Sequence, residues 1–321
     1  MFRYAGEWEK QSATWLSCPH NKKEWKDKLP GIKEFYKNLI DVILDFQDVK
    51  LILSDEKFLA GEDNYPRFRE KKKHKLHKII IPNNDVWIRD YGPFFMKCKG
   101  EVTSPLRIVD FEFNAWGGKY PPWNLDYAVP RKIAFFLGEK CESYPIILEG
   151  GAIDFNGDDL AITTEECVLN QNRNPNVSKM QTENLIKDIF NIKKIIWLKR
   201  GLEGDHTDGH VDNVARFIGK NKILINKGLE TKKEILKWAK NHDRKLEIVE
   251  LPLPKFSPAS YVNFIFVNGG VIIPIFNCNT DKEALAIFKK VFPTRKVVGV
   301  DCSLLIQEGG GLHCMTKQEP L

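Results

Sequence analysis

Two segments combine residue types suited to moving protons and forming covalent bonds. In G-D-H-T-D-G-H-V-D-N (204–213), His210 and Asp212 stand two apart. If the chain becomes a strand after Gly209, both side chains fall on one face, because side chains alternate along a strand. An imidazole beside a carboxylate suits general acid–base work, since the carboxylate orients the ring and stabilises its protonated form. In E-G-G-G-L-H-C (308–314), Cys314 follows three glycines and a histidine. A nucleophilic thiol needs a polar setting that favours its thiolate and a proton shuttle within reach. His210 fills that role if the fold joins the two segments. Each residue also has a plainer reading: a core histidine bonded to a neighbour, or a small buried thiol. The density of His and Asp further admits a metal centre built from His206, His210, Asp212 and His313.

Two further acids stand out. Asp90 lies in N-D-V-W-I-R-D-Y-G-P (84–93), where Arg89 is placed to pair with an acid and Gly92-Pro93 to make a turn. Glu149 heads a glycine pair in I-L-E-G-G-A-I-D-F (147–155). Carboxylates gathered beside a thiol are a poor nucleophile site on their own, because negative charge raises the thiol pKa. A cationic ligand removes the difficulty. A guanidinium is planar, carries five N–H donors and is matched by carboxylates in bidentate geometry. Its bound charge favours the thiolate, so binding and activation are coupled.

The elements that position these groups alternate between helix and strand. Residues 31–47 put Ile32, Phe35, Tyr36, Leu39, Ile40, Ile43 and Phe46 on one helical stripe. Ser178 and Gln181 form a capping box that opens a helix over 178–190, and 230–240 and 280–291 read as further helices. Ten short apolar runs read as strands: 49–53, 79–81, 146–148, 160–163, 194–198, 222–226, 246–250, 262–267, 271–275 and 296–300. The class is α/β or mixed α+β, and no Pro/Gly/Ser-rich linker divides residues 1–321, so one domain is expected. Three strand-like runs, 147–155, 266–274 and 306–314, each break at a glycine pair and resume. Such a recurrence predicts a pseudo-symmetric array whose glycine corners face a shared centre.

Composition narrows the partners. Apolar residues are 42% and charged residues 29%, which are ordinary globular values. The net charge of +6 first suggests an anionic partner. Residues 67–78 hold seven Lys/Arg and one Glu, so that run alone carries the excess. Neither a nucleic-acid partner nor a membrane is expected. The seven cysteines include no C-x-x-C pair, and no disulfide framework is expected. The first residues show no basic stretch followed by an apolar one, so a cytoplasmic protein is expected. A homodimer is the default assembly.

Several motifs resemble the agmatine deiminase family, in order and across nearly the whole chain. They are E-W-E-x-Q-S-A-T-W (7–15), N-D-x-W-x-R-D-x-G-P (84–93), F-N-A-W-G-G (113–118) and E-G-G (149–151). T-T-E-E-C-x-L-N-x-N-R-N-P (163–175), D-G-H-V-D (208–212) and G-G-G-L-H-C (309–314) complete the set. The resemblance implies a five-bladed α/β propeller of ββαβ units around a central channel. It implies hydrolysis of agmatine to N-carbamoylputrescine and ammonia, with no metal and no cofactor. It assigns Cys314 as nucleophile, His210 as general acid/base, and Glu149, Asp212 and Asp90 as guanidinium-binding acids. Trp87 and Trp116 become aromatic walls. At the position of His206 the family often carries an acid. Here the run is Asp205-His206-Thr207, which leaves Asp205 and Asp208 to hold a distal amine. The nearest alternative is a peptidylarginine deiminase or a deiminase of another arginine-derived guanidine. A propeller that only binds a ribosome-like partner would have no use for Cys314, His210 and Glu149 together.

Overall fold

The segment from Gln11 to Leu53 shows how one unit forms. Helix Leu29–Ile43 buries Ile32, Phe35, Tyr36, Leu39, Ile40 and Ile43 on one stripe. That stripe packs against the sheet in which the strands on either side of the helix in sequence, Gln11–Ser17 and Asp48–Leu53, pair in parallel. Parallel strands need such a crossover, and covering one sheet face with the helix shields the apolar side chains of both. The computed structural model describes residues 2–58, 73–98, 106–228 and 230–321. Within it the same crossover recurs four more times. Arg107–Glu112 pairs with Cys141–Ile147 across helix Asn124–Leu137. Leu160–Thr164 pairs with Lys194–Leu198 across Lys179–Phe190. Lys222–Asn226 pairs with Glu247–Leu251 across Thr231–Asn241, and Gly270–Ile275 with Lys296–Asp301 across Asp281–Val291.

Each unit adds an antiparallel strand on the other side of its first strand. These are Lys317–Pro320, Phe94–Cys98, Ile153–Phe155, Ala215–Gly219 and Ile265–Val267. The result among the described residues is five separate sheets, each a ββαβ unit, as the propeller expectation requires. Two sheets gain an outer strand, Leu76–Ile80 and Phe2–Tyr4. The last strand, Lys317–Pro320, completes the sheet of Gln11–Ser17 and so ties the two ends of the chain together. No helix among the described residues is long and apolar enough to cross a membrane.

The antiparallel strands carry buried charge. Arg216 and Lys317 are fully buried, and Asp154 is nearly so. Arg216 and Arg89 both donate to Glu7, at 2.5 and 3.0 Å. A buried carboxylate is tolerated when several charged donors meet it. Here that network forms the rigid underside of the site described below.

Most anticipated elements form with shifted ends. The Ser178 capping box is present, Ser178 Oγ accepting from the Gln181 amide and Gln181 Oε1 from the Ser178 amide. The first helix stops at Ile43, short of the anticipated Phe46. Helix Asn124–Leu137 does not show in the apolar pattern, and Pro130, which normally ends a helix, sits inside it. The glycine-corner expectation needs one correction. Gly150-Gly151 and Gly309 to Gly311 reach the site, but Gly269-Gly270 is the tight turn between Ile265–Val267 and Gly270–Ile275. A side chain on Gly270 would meet Phe46, not the site. Residues 67–72 of the basic run lie outside the described residues.

Glu319 closes the chain-end sheet. It is 6% exposed and accepts from Trp15 Nε1 at 2.7 Å, Ser12 Oγ at 2.7 Å and Lys50 Nζ at 2.6 Å. Glu319→Ala leaves these donors unmet and is expected to lower the unfolding free energy by roughly 3 kcal/mol in urea denaturation. Glu319→Gln keeps one acceptor oxygen, which can serve Trp15 while its amide NH2 donates to Ser12 Oγ, and is expected to lose less.

Candidate active site

Asp90 lies on the single turn Ile88–Tyr91 and is 5% exposed. Its Oδ1 accepts from the Gly151 amide and its Oδ2 from Trp116 Nε1, both at 2.9 Å. Arg89, its neighbour, faces the other way onto Glu7, as the pairing expectation for that segment proposed. Trp116 is aimed by unusual backbone. Ala115, Trp116, Gly117 and Gly118 all have positive φ, from 50° to 90°. A bulky residue in the left-handed region costs energy and persists only where the surroundings enforce it. Here the enforcing contacts are the Trp116–Asp90 bond and the Asn114 side chain, which accepts from the Gly117 amide at 2.8 Å.

His210 and Asp212 do not lie on a strand as expected. They enter a 3-10 turn, Val211–Asn213, whose start is tied down by Asp205. Asp205 Oδ2 accepts from the His210 amide at 3.1 Å and from Asn213 Nδ2 at 3.0 Å. The Asp212 amide donates to the Gly151 carbonyl at 3.2 Å. His210 and Asp212 are 0% and 1% exposed. Gly151 is the point where these groups meet. A Cβ built there would stand 2.6 Å from His210 Nδ1, 2.8 Å from Asp90 Oδ1 and 3.1 Å from Asp212 Oδ2. Only a residue without a side chain lets the three approach so closely.

Cys314 is 5% exposed and shares a pocket with Asp90, Trp87 and Trp116. Its Sγ lies 3.8 Å from Asp212 Oδ2 and 3.4 Å from Asn263 Nδ2. His313, next in sequence, bridges Asp212 Oδ2 at 2.7 Å and Glu7 Oε1 at 2.9 Å. Glu149 is 1% exposed and its Oε1 accepts from Arg173 Nε at 2.5 Å. Both ring nitrogens of His210 and Asp212 Oδ1 are buried without a hydrogen-bond partner among the described residues. Buried polar atoms are normally satisfied, so orphans in one place point to a ligand that would fill them.

The electrostatics follow from burial. Burial pushes the Asp90 carboxyl up to about 6, with Asp212 and Glu149 adding to it against His210. Burial alone would hold His210 neutral, but Asp90, Cys167 and Glu149 outweigh it and raise the ring well above the usual histidine value. Burial drives the Cys314 thiol far above its ordinary value, and the charges of Asp212 and Asp90 add to it. In the free protein the thiol is therefore protonated.

The remaining assignments differ from expectation. Asp205 and Asp208 do not line the pocket that holds Cys314. Asp208 accepts from Lys119, Asn172 and Arg173, and Asp205 from Thr207, His210 and Asn213, so both are committed to the protein. The metal set of His206, His210, Asp212 and His313 is not assembled. Among the described residues, the three donors within 4.8 Å of one another are Glu149, Cys167 and His210. Those could hold an ion, but Arg173 already places a positive charge on Glu149. Arg173 stood in a motif without a role, and His313 figured only in the metal alternative. Asn263 had no sequence signal.

Gly151→Ala drives a methyl between His210, Asp90 and Asp212. Misplacement of reacting groups by about 1 Å costs on the order of 100-fold in rate. A loss of that size in guanidine turnover is expected, with the far-ultraviolet circular dichroism unchanged.

Comparison with known proteins follows the geometry. The Porphyromonas-type peptidyl-arginine deiminase family matches residues 3–320. The agmatine deiminase of Pseudomonas putida KT2440 is 32% identical over 363 residues, covering 99% of this chain and 95% of that protein. Among solved structures, a cysteine-to-serine form of C. jejuni agmatine deiminase with substrate bound superposes with a TM-score of 0.85. It is 32% identical and the match covers 99% of this chain and 96% of that one. The agmatine deiminase of Enterococcus faecalis gives a TM-score of 0.89 at 29% identity, with the same coverage. Fold, motifs and relatives agree, and the chain belongs to the Porphyromonas-type peptidyl-arginine deiminase family.

Proposed function

We propose that the chain, acting as one catalytic domain, is an agmatine deiminase, a C–N hydrolase that converts agmatine and water to N-carbamoylputrescine and ammonia. One observation carries this reading. The pocket above Cys314 is lined by four carboxylates, Glu24, Asp85, Asp90 and Glu308, and by no Lys or Arg. In a protein of net charge +6 such a cavity selects cations. The relatives named as agmatine deiminases, one with substrate bound, support the choice of cation.

In this reading Asp90, Glu149 and Asp212 hold the guanidinium flat. As the cation binds, its charge offsets the two carboxylates nearest Sγ, and the thiol releases its proton to solvent. Sγ bonds to the guanidinium carbon. His210, held as imidazolium, gives its proton to a terminal nitrogen, the C–N bond breaks and ammonia leaves. An S-alkylthiouronium remains on Cys314. The neutral His210 takes a proton from water, whose oxygen bonds to the same carbon. The C–S bond then breaks, the hydroxyl proton passes to solvent, and the thiolate and the neutral ureido product are released. Asp212, fixed by His313, steadies the positive charge of the substrate and of the His210 ring. No hydrogen bond joins Cys314 to His210, which suits a substrate that slots between nucleophile and acid.

The test is ammonia release from agmatine, free arginine, peptidyl-arginine and methylated arginines. Agmatine is expected to have the highest kcat/KM, and Cys314→Ala is expected to release no ammonia from any of them. An active Cys314→Ala protein, or a preference for peptidyl-arginine, would overturn the proposal. The Asp90 carboxylate grips the cation only when ionised, so kcat/KM should fall as pH drops through about 6. An acid limb near the ordinary value for aspartate, about 4, would show that Asp90 is not the group being titrated.

A further inference from the structure

The loop that was expected to hold the substrate tail brings no free carboxylate to the pocket. Of residues 205–208, the ones that line it are His206 and Thr207. His206 Nδ1 rests 3.2 Å from Tyr120 Oη at the wall. Asp205 and Asp208 spend all four carboxylate oxygens on protein donors. A cationic tail must therefore find its counter-charge elsewhere.

Two acids on other elements face the same space. Glu24 stands on the turn Lys22–Trp25, and Glu308 ends the 3-10 turn Leu305–Glu308 just before the glycines that lead to Cys314. Glu308 is already paired with Lys28. The Glu24 carboxylate makes no ion pair with a described residue. The same cavity is lined by the aromatic rings of Trp25, Trp87, Trp116 and Tyr120 and reaches Cys314. Behind the lining, Asp90 and Cys314 lead to the buried His210 and Asp212: His210 Nδ1 lies 3.6 Å from Asp90 Oδ1, and Asp212 Oδ2 lies 3.8 Å from Cys314 Sγ. Acids, aromatic rings and the thiol thus line one cavity. That is the pattern of a ligand with a cation at each end and an apolar chain between.

We propose that Glu24, with Glu308 of the same pocket, is the specificity-determining residue that reads the terminal ammonium at the far end of the substrate. The assignment rests on the deiminase reading of the floor. Asp85 also faces the pocket, but burial raises it to about 7, with Glu24 and Glu308 adding to the rise, so it is a weaker counter-ion at neutral pH. Free arginine carries an α-carboxylate beside its α-ammonium, and that carboxylate would meet Glu24 and Glu308 with like charge. Nothing basic lines the pocket to receive it.

The test compares agmatine with butylguanidine, which keeps the guanidine and replaces the terminal ammonium by a methyl. Steady-state kinetics are measured for the unaltered protein, Glu24→Gln, Glu308→Gln and the double variant. An exposed ion pair is worth up to about 1 kcal/mol, or roughly fivefold. Glu24→Gln should raise the KM for agmatine about three- to fivefold with kcat nearly constant, and the double variant about tenfold. The KM for butylguanidine should move less than about twofold in every variant, as no charged tail is present to lose a partner. Equal changes for both substrates, or none for either, would overturn the assignment of the tail. If the unaltered protein turns over neither compound, the deiminase reading itself fails and the tail assignment falls with it.

Discussion

Everything in the site answers to one constraint: negative charge held out of water with too little positive charge to balance it. Asp90, Glu149 and Asp212 are each 5% exposed or less. Taking one ion out of water costs several kcal/mol even after relaxation. Arg173 compensates Glu149, and the charged His210 ring partly compensates Asp90. Burial and the Arg216 and Arg89 charges hold His313 toward its neutral form, so it gives Asp212 only a hydrogen bond. The imbalance shows in its consequences. Asp90 is pushed toward protonation, the Cys314 thiol is held neutral and the His210 ring is held charged. A bound cation relieves all three, so the same charges that suppress the nucleophile in the free protein release it when substrate arrives.

The five-unit fold makes this arrangement affordable. Each unit keeps its apolar material between helix and sheet and sends only short polar turns toward the centre. Asp90, Gly151, His210 and Cys314 come from four such turns. Beneath them Glu7 ties Arg89, Arg216 and His313 into one buried network. That network supplies the fixed positive charge of the interior on the far side of Asp212, so it orients the site without filling the place of the ligand. The unusual left-handed turn at Trp116 and the crowded backbone at Gly151 are local costs that the surrounding packing sustains.

The chemistry at the floor was legible in the sequence because its constraints are local. Glycine pairs beside Glu149 and before Cys314 mark places where no side chain fits, and Gly151 and Gly310 are such places. The helices with clean apolar stripes were legible for the same reason. Helix Asn124–Leu137 was not, since Pro130 masks its pattern and tertiary packing overrides that signal. Nor was the fate of Asp205 and Asp208. A sequence shows a carboxylate but not whether Asn213, Arg173 or Lys119 will already occupy it. Glu24 sits in a lysine-rich stretch that reads as an ordinary solvated surface, and only the folded chain brings it to the pocket of Cys314.

The central claim is that cation binding, not the resting protein, produces the nucleophile. The direct measurement is the ultraviolet thiolate absorbance of Cys314, taken as the difference between the protein and Cys314→Ala across a pH titration, with and without guanidinium ion. The account predicts no Cys314 thiolate at neutral pH in the free protein, and its appearance when guanidinium is added. A thiolate already present at neutral pH without any cation, and unchanged by adding one, would contradict it.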